Sequence, residues 1–192
     1  MPIIIDLDAG PGDAPVTGSY ALPLAYLLRF GATEAVQMLG DEQQLLTEGL
    51  LRDALAIIDG SASTWHGTPT GDEMAAGLAA ATRLNRALAM TTNMMDGYLR
   101  NVVKLPIPAD DANAGVLEDC CLALTRAGLA DDPDNATDRM DQVAKDWRAW
   151  LKDVSKGVVQ LVGAQGEPPP SPTRVRSGQA ASGYDWTRFG AM

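Results

Sequence analysis

The feature that most constrains the fold is one long amphipathic stripe between residues 72 and 100. Apolar side chains recur there every three or four residues, the spacing that places them on one face of an α-helix. Gly77 and Gly97 interrupt this stripe, and we expect them to bend or end the helix. The stripe consists of Met74, Leu78, Ala81, Leu84, Leu88, Thr91, Met95 and Leu99. It predicts the longest helix of the chain.

The composition agrees with a helical fold. The chain has 192 residues, which at roughly 150 residues per domain corresponds to one domain with appendages. Hydrophobic residues make up 46% and aromatic residues only 5%, so Ala, Leu, Val and Met must fill the core. A chain rich in Ala and Leu favours helix over sheet. We therefore predict a mainly α protein, built as a small helical bundle.

Shorter helical patterns lie on both sides of the long stripe. Gly31 is expected to end the first of two short helices over 20–39, and Thr33 to cap the second. Asn135 is expected to cap the last helix, over 136–156, which Gly157 ends. Further helices are predicted over 41–58, with Leu46, Leu50, Leu51, Ala54, Leu55 and Ile58 facing inward, and over 112–129, with Val116, Leu117, Cys120, Cys121 and Leu124 facing inward. In the first helix the apolar residues at helical spacing are Leu22, Tyr26, Leu27 and Phe30. In the last helix one face consists of Met140, Val143, Trp147, either Trp150 or Leu151, and Val154.

Segments without helical periodicity set the predicted domain boundaries. Residues 1–19 are interrupted by Gly10-Pro11-Gly12 and predict an extended N-terminal arm. Residues 20–163 form the helical domain, in which 60–71 is a turn-rich loop with Trp65 and His66 at its tip. Residues 158–162 predict either one short strand or a packing arm. The proline-rich stretch that follows predicts an extended tail over 164–192.

The charge balance excludes several classes of protein. Fifteen Lys and Arg stand against 25 Asp and Glu, which gives a net charge of −10. Gripping DNA, RNA or an anionic membrane requires clustered basic residues, so such partners are not expected. No apolar run approaches the ~20 residues of a membrane span, and the N-terminus lacks a signal-peptide pattern.

Candidate catalytic groups are few. His66 is the sole histidine, and any Ser/His/Asp or Cys/His site would have to use it. Its loop contains no nucleophile motif such as G-x-S-x-G. A surface-loop residue is therefore the favoured interpretation, and the chain is not expected to be an enzyme.

The candidate metal ligands do not have the spacing of a metal site. Cys120 and Cys121 are adjacent, and neighbours on a helix point about 100° apart, so two core-facing side chains are expected rather than a metal or redox pair. Five aspartates between Asp131 and Asp141 lack the glycine and distal glutamate of a calcium loop. We expect them to be solvated, and we predict neither a metal nor a cofactor.

The predicted tail carries the densest aromatic cluster of the chain. Trp, Tyr and Arg dominate binding interfaces, and aromatic residues outside a core indicate a partner. The tail is also slightly basic, since three Arg stand against Glu167 and Asp185, while residues 1–163 carry −11. The predicted partner-binding residues are Arg174, Arg176, Tyr184, Trp186, Arg188 and Phe189.

Three stretches, in order, resemble the head–tail connector (adaptor, or head-completion) proteins of Mu-like and other long-tailed phages. The first is similar to that family's leucine and Arg-Phe-Gly opening, the second to its long helix that ends in Asp-Gly-Tyr-Leu, and the third to its last helix. The stretches are Tyr26-Leu27-Leu28-Arg29-Phe30-Gly31-Ala32-Thr33-Glu34, Met95-Asp96-Gly97-Tyr98-Leu99-Arg100 with Leu105-Pro106, and Trp147-Arg148-Ala149-Trp150-Leu151 with Lys156-Gly157-Val158-Val159-Gln160-Leu161.

The resemblance implies a non-catalytic virion protein of the neck, assembled in the host cytoplasm. About twelve copies would form a closed ring under the portal and continue the DNA channel toward the tail. The implied partners are the portal ring, neighbouring copies of the chain and a tail-side stopper or tail-completion protein, while the tail segment docks on the portal or a neighbouring subunit. Genomic DNA would pass without sequence-specific binding, and no membrane is involved.

An acidic channel wall would not hold phosphates in place. That hypothesis requires acidic side chains to face inward, and the candidates are Asp41, Glu42, Asp110 and Asp111.

Two other functions fit the same sequence. One is a soluble, acidic helical binding module or regulator whose tail docks a partner one-to-one, because a polyproline stretch followed by aromatic residues suits a peptide ligand. An enzyme that uses His66 is the third hypothesis, and replacing His66 with Ala would test it.

Overall fold

A computed structural model of the protein describes residues 19–40, 43–108, 110–130 and 136–162. Within these ranges the chain forms six helices and no strand, which confirms the predicted helical bundle. The helices are α1 (Pro23–Phe30), α2 (Ala32–Leu39), α3 (Glu48–Ile58), α4 (Gly71–Leu99), α5 (Ala114–Leu129) and α6 (Asp138–Ser155). Apart from Ser19, the predicted N-terminal arm and the predicted tail lie outside the described residues.

Helix α4 is the central element, as its long stripe predicts. It begins with a capping box, in which the Thr70 hydroxyl accepts from the Glu73 backbone N–H and the Glu73 carboxylate accepts from the Thr70 N–H. One face is buried along its whole length and packs against each of the other helices. The prediction fails at Leu78, which is 37% exposed near the beginning of the helix.

The two glycines predicted to bend or end α4 do not end it. The helix continues through Gly77 and Gly97. A Cβ atom at Gly77 would lie 3.1 Å from the Leu50 carbonyl oxygen and 3.2 Å from the Trp65 ring. Glycine therefore permits α3 and the Trp65 side chain to approach the α4 backbone closely. Trp65, predicted at a loop tip, packs against the core.

The turn between α1 and α2 is partly as predicted. Gly31 ends α1 with φ of 91°, a left-handed conformation that glycine adopts without steric cost. Thr33 does not cap α2, because the helix already begins at Ala32. Its hydroxyl instead donates to the Glu48 carboxylate at 2.6 Å, which ties α2 to the start of α3.

The starts of α3 and α6 differ from the prediction. Helix α3 begins at Glu48 rather than at residue 41, since Gln44 adopts a left-handed φ of 53° that a helix excludes. Thr47 caps it by accepting from the Leu50 N–H. Thr137 caps α6 in the same way, in place of Asn135, which lies outside the described residues.

The core is built from α4, α5 and the inner faces of the other helices. Cys120 and Cys121 are fully buried free thiols, as predicted, and burial raises the pKa of Cys120 to about 12. The Thr125 hydroxyl donates a hydrogen bond to the Thr91 hydroxyl at 3.0 Å, so these two polar groups are paired within the core. Besides Leu78, three residues of the predicted apolar faces are more than a third exposed: Leu22, Ile58 and Val143.

We predict that the Leu84→Ala substitution destabilises the protein strongly. Leu84 is fully buried on α4, and truncating such a side chain costs about 2–5 kcal/mol of unfolding free energy, because a cavity remains. The matched control is Leu78→Ala on the same helix, which should cost about 1 kcal/mol or less. Urea unfolding measures both, and equal losses would contradict the described orientation of α4.

Candidate functional site

Most of the predicted site residues lie outside the described part of the chain. This holds for Asp41 and Glu42 and for all six tail residues, Arg174, Arg176, Tyr184, Trp186, Arg188 and Phe189. Asp110 and Asp111 are described, in the turn before α5. Asp110 is exposed. Asp111 is half-buried and accepts from the backbone N–H and the side-chain amide of Asn113, so it serves the local turn.

An apolar surface on α1 is the most unusual feature of the described exterior. Leu22 is 68% exposed, Leu24 62% and Leu28 80%. Leu24 and Leu28 are one helical turn apart and therefore lie on the same side of α1. We call these three residues the leucine face. Tyr26, on the opposite side of the helix, and Leu27, beside it, are buried. This short helix is therefore apolar on more than one side, a pattern typical of a helix covered twice.

The segment before α1 is held on α4 by polar contacts. The Tyr20 backbone N–H donates to the Thr92 hydroxyl at 3.3 Å, and the Tyr20 hydroxyl donates to the Asp96 carboxylate. Burial, together with the adjacent Asp96 carboxylate, raises the pKa of Tyr20. The phenol therefore stays protonated and keeps its donor role at neutral pH. This contact fixes where α1 begins.

The end of α1 is held by an arginine of α5. Arg126 forms a bidentate ion pair with Glu34, at 2.5 and 2.8 Å, and its guanidinium lies 4.7 Å from the centre of the Phe30 ring. On the surface, Arg29 pairs with Asp119. With both ends fixed, α1 presents the leucine face as a preformed surface.

A second surface lies where α2 ends beside α4. It is a groove with a cavity of about 390 Å³, which we call the α4 groove. Its floor is apolar and its rim carries one guanidinium group, that of Arg83. The lining residues are Leu39, Gly40, Leu46, Ala76, Ala79, Ala80 and Arg83.

The exposed side of α4 continues from this groove. Arg83, Arg86 and Arg100 are exposed, and among the described residues none of them has a carboxylate within ion-pair distance. Met90 is 62% exposed between them. Arg and Met are enriched at protein interfaces, whereas Lys is depleted. The exposed side of α6 is also charged, and it carries acids, lysines and arginines, Asp138, Arg139, Asp141, Lys145, Arg148 and Lys152 among them.

His66 is held by a carboxylate of α3. Its Nδ1 lies 2.6 Å from Asp53 Oδ1, and its backbone N–H donates to Asp53 Oδ2 at 2.8 Å. These two hydrogen bonds lower the pKa of Asp53. Asp53 is buried, while the His66 side chain is 90% exposed. The pair therefore fastens the 59–70 loop to α3.

The described residues contain neither a metal-binding cluster nor a membrane-spanning helix. No group of three or more His, Cys, Asp or Glu side chains is placed to share a metal ion. None of the described helices combines the length and apolarity needed to cross a membrane.

The segment after α6 is clamped to the start of α5. Gly157 follows the helix with φ of 72°, and residues 158–162 then run without forming a strand, as a packing arm. Leu161 is buried. The Asn113 amide donates to the Val162 carbonyl at 2.6 Å, and the Val162 N–H donates to the Asn113 oxygen at 3.0 Å. This pair of bonds fixes the point from which the chain continues toward the predicted tail.

Comparison with known proteins identifies the family. The sequence profile described as Bacteriophage Mu, Gp36 matches residues 20–179, which is most of the chain and includes all six helices. The chain therefore belongs to this bacteriophage Mu family. Neither the curated proteins nor the solved structures gave a match.

We expect the Asp53–His66 pair to stabilise the protein in a pH-dependent way. The pKa of Asp53 is lowered from its ordinary value of 3.8, so the ionised carboxylate stabilises the fold above that pH. This contribution is lost as the pH falls through the lowered, folded-state pKa. Asp53→Asn should reduce the unfolding free energy at pH 7, and its difference from the parent protein should shrink below pH 3.8.

Urea unfolding across a pH series measures this difference. His66→Ala should cause a smaller loss at pH 7, because the backbone N–H of residue 66 still donates to Asp53. The double variant should lose less than the sum of the two single variants, since both side chains belong to one interaction. A difference between Asp53→Asn and the parent that stays constant at every pH would contradict the assignment.

The clamp on the exit segment predicts a local effect of Asn113→Ala. Removing the acceptor of the Val162 amide should accelerate hydrogen exchange at that amide by about fivefold or more, as expected for a lost hydrogen bond of about 1 kcal/mol. Asn93→Ala, on the exposed side of α4, is the control. An unchanged exchange rate at Val162 in the Asn113 variant would refute the clamp.

Proposed function

We propose that this member of the bacteriophage Mu Gp36 family is a head–tail connector subunit. About twelve copies form a ring beneath the portal and continue the DNA channel toward the tail. Its partners are the portal ring, neighbouring copies and a tail-side stopper or tail-completion protein. Support comes from the family membership, from the helical bundle and from the three stretches that resemble connector proteins.

The leucine face is the observation that carries the proposal. Three largely exposed leucines do not stabilise a helix whose surface is in contact with water only. Burying each leucine at a contact with a partner would stabilise that contact by about 1.5–3 kcal/mol. Exposed apolar clusters on a structured surface mark interaction sites. Both ends of α1 are fixed by hydrogen bonds and ion pairs, so the leucine face is available to a partner without rearrangement. A ring subunit needs such a preformed contact.

We also propose a structural rather than catalytic role. The sole histidine is engaged with Asp53, and both cysteines are buried with raised pKa values, which disfavours the reactive thiolate. Each of these groups has a role in the fold that accounts for its presence.

The proposed channel wall is acidic. With a net charge of −10 per chain, a ring of copies repels DNA phosphates and lets the genome slide. Of the candidate acids that the structure describes, Asp111 is engaged by Asn113, whereas Asp110 is exposed. Among these described acids, Asp110 is therefore the stronger candidate for a side chain that faces the channel.

Co-sedimentation with portal rings from the same genome tests the proposal. We expect about twelve copies of the chain per ring. Deleting residues 164–192 should abolish attachment while the helical circular-dichroism spectrum stays unchanged, because the six helices lie within residues 23–155.

Each outcome discriminates between functions. Attachment that survives the deletion would overturn the docking role of Arg174, Arg176, Tyr184, Trp186, Arg188 and Phe189. Failure to bind portal rings at any salt concentration, with one-to-one binding to another protein, would replace the connector with the binding module.

A further inference from the structure

We propose that the aromatic part of the tail, Tyr184-Asp185-Trp186, folds back and binds a cavity on its own chain. The cavity lies where the end of α1 meets α5 and the first half of α6, and we call it the α5–α6 cavity. This inference rests on the proposed function, because it assigns the contact that the tail makes before it reaches the portal.

The α5–α6 cavity combines apolar walls with a basic mouth. Its volume is about 330 Å³, at the lower end of the range of about 300–1,000 Å³ that ligand pockets cover. It therefore suits one or two side chains rather than a whole helix. Phe30, Met140, Val143 and Trp147 contribute to its walls, and the exposed Arg139 lies at its mouth.

The aromatic walls are held in place by other side chains. The Phe30 ring contacts Tyr26 edge-to-face, with ring centres 4.9 Å apart, and the Arg126 guanidinium lies 4.7 Å from the centre of the Phe30 ring. Trp147 contacts Trp150 edge-to-face, with ring centres 5.5 Å apart. Because the walls are preformed, a ligand would bind without the cost of ordering them.

The charges around the cavity favour an acidic ligand. Two of its arginines are already paired, Arg29 with Asp119 and Arg126 with Glu34. Arg139 forms no ion pair with the described residues. An aromatic side chain next to a carboxylate would fill the walls and pair with this guanidinium.

Within the tail, only residues 184–186 combine these two properties. Asp185 lies between Tyr184 and Trp186, whereas the other acid of the tail, Glu167, precedes three prolines. Trp and Tyr contribute most to binding when they fill a pocket. With Trp186 in the cavity, the carboxylate of the adjacent Asp185 would be close to the mouth, where Arg139 lies.

The tail is tethered within reach of the cavity. The described chain ends at Val162, which Asn113 holds at the start of α5. Arg126, which lines the cavity, lies about 20 Å further along that helix at 1.5 Å per residue. The segment over 163–183 can span up to about 70 Å. A tethered ligand has an effective concentration of about a millimolar, which favours the cavity of the same chain over that of a neighbour.

Cysteine cross-linking in the full-length chain tests the fold-back. Val143→Cys and Gly183→Cys place one thiol at the cavity and one beside the aromatic residues. The native cysteines are buried with raised pKa values and stay unreactive toward a short bismaleimide. In the control pair, Asn93→Cys on the exposed side of α4 replaces Val143→Cys. Mixing isotope-labelled with unlabelled chains distinguishes links within a chain from links between chains.

The expected result is a 143–183 link within one chain, in a yield about tenfold above that of the 93–183 control. Saturating portal rings should lower this yield, because the portal and the cavity compete for the same tail residues. Equal yields from the two pairs, or links only between chains, would overturn the fold-back. If portal rings still bind the chain in that case, the connector stands. A 143–183 link without portal binding would support the fold-back and overturn the connector.

Charge reversal tests the ion pair at the mouth of the cavity. Arg139→Glu and Asp185→Arg should each lower the 143–183 yield by about fivefold or more, because like charges would then meet. The two substitutions together should restore the yield. Arg148→Glu, on the opposite side of α6, is the control and should leave the yield unchanged. A double variant that links no better than the single variants would contradict the pairing of Asp185 with Arg139.

Discussion

Burial of one face of α4 is the interaction on which the rest of the structure depends. The helix is 29 residues long, about 43 Å at 1.5 Å per residue, and each of the other helices packs against it. Its N-terminal half packs against α3 at Gly77. Its C-terminal half contacts α5 through the hydroxyl groups of Thr91 and Thr92. Because the same helix also holds Tyr20 through Asp96, the position of α1 follows from it as well. A single buried stripe therefore determines where the exterior surfaces lie.

That arrangement gives α4 a buried inner face and an exposed outer face. The inner face of α4 consists of leucines, a methionine and small residues that are buried against the other helices. Its outer face carries Met90 and arginines that form no ion pair with the described residues, and it borders the apolar groove. The leucine face and this outer face share one physical property, namely that each exposes apolar side chains to water.

The sequence predicts the long elements better than the ends and the exposed faces. The stripe on α4 has enough repeats to override two glycines, and the buried pair Cys120 and Cys121 follows from the periodicity of α5. The start of α3 is missed because Leu46 continues the apolar spacing into a non-helical segment, where Gln44 takes a left-handed conformation. The cap of α6 is missed because Asn135 and Thr137 are both good capping residues, and the sequence does not rank them.

The sequence also fails to predict the two surfaces of the candidate site. The sequence assigns Leu22 to the interior, whereas the structure exposes it together with Leu24 and Leu28. A helix of eight residues with apolar side chains on both sides has no periodicity from which an inner side can be chosen. Its composition could have signalled a doubly covered helix, since few polar side chains are present in α1. The α4 groove depends on the meeting of α2, α4 and the segment before α3, which no local pattern contains.

The proposed connector role makes the chain a stoichiometric component of the neck. Quantitative mass spectrometry of purified phage particles, with isotope-labelled peptides from this chain and from the portal protein, tests it most directly. A connector ring that matches the portal predicts a copy ratio near one to one. Absence of the chain from mature particles, or a ratio many times lower than that of the portal protein, would contradict the account.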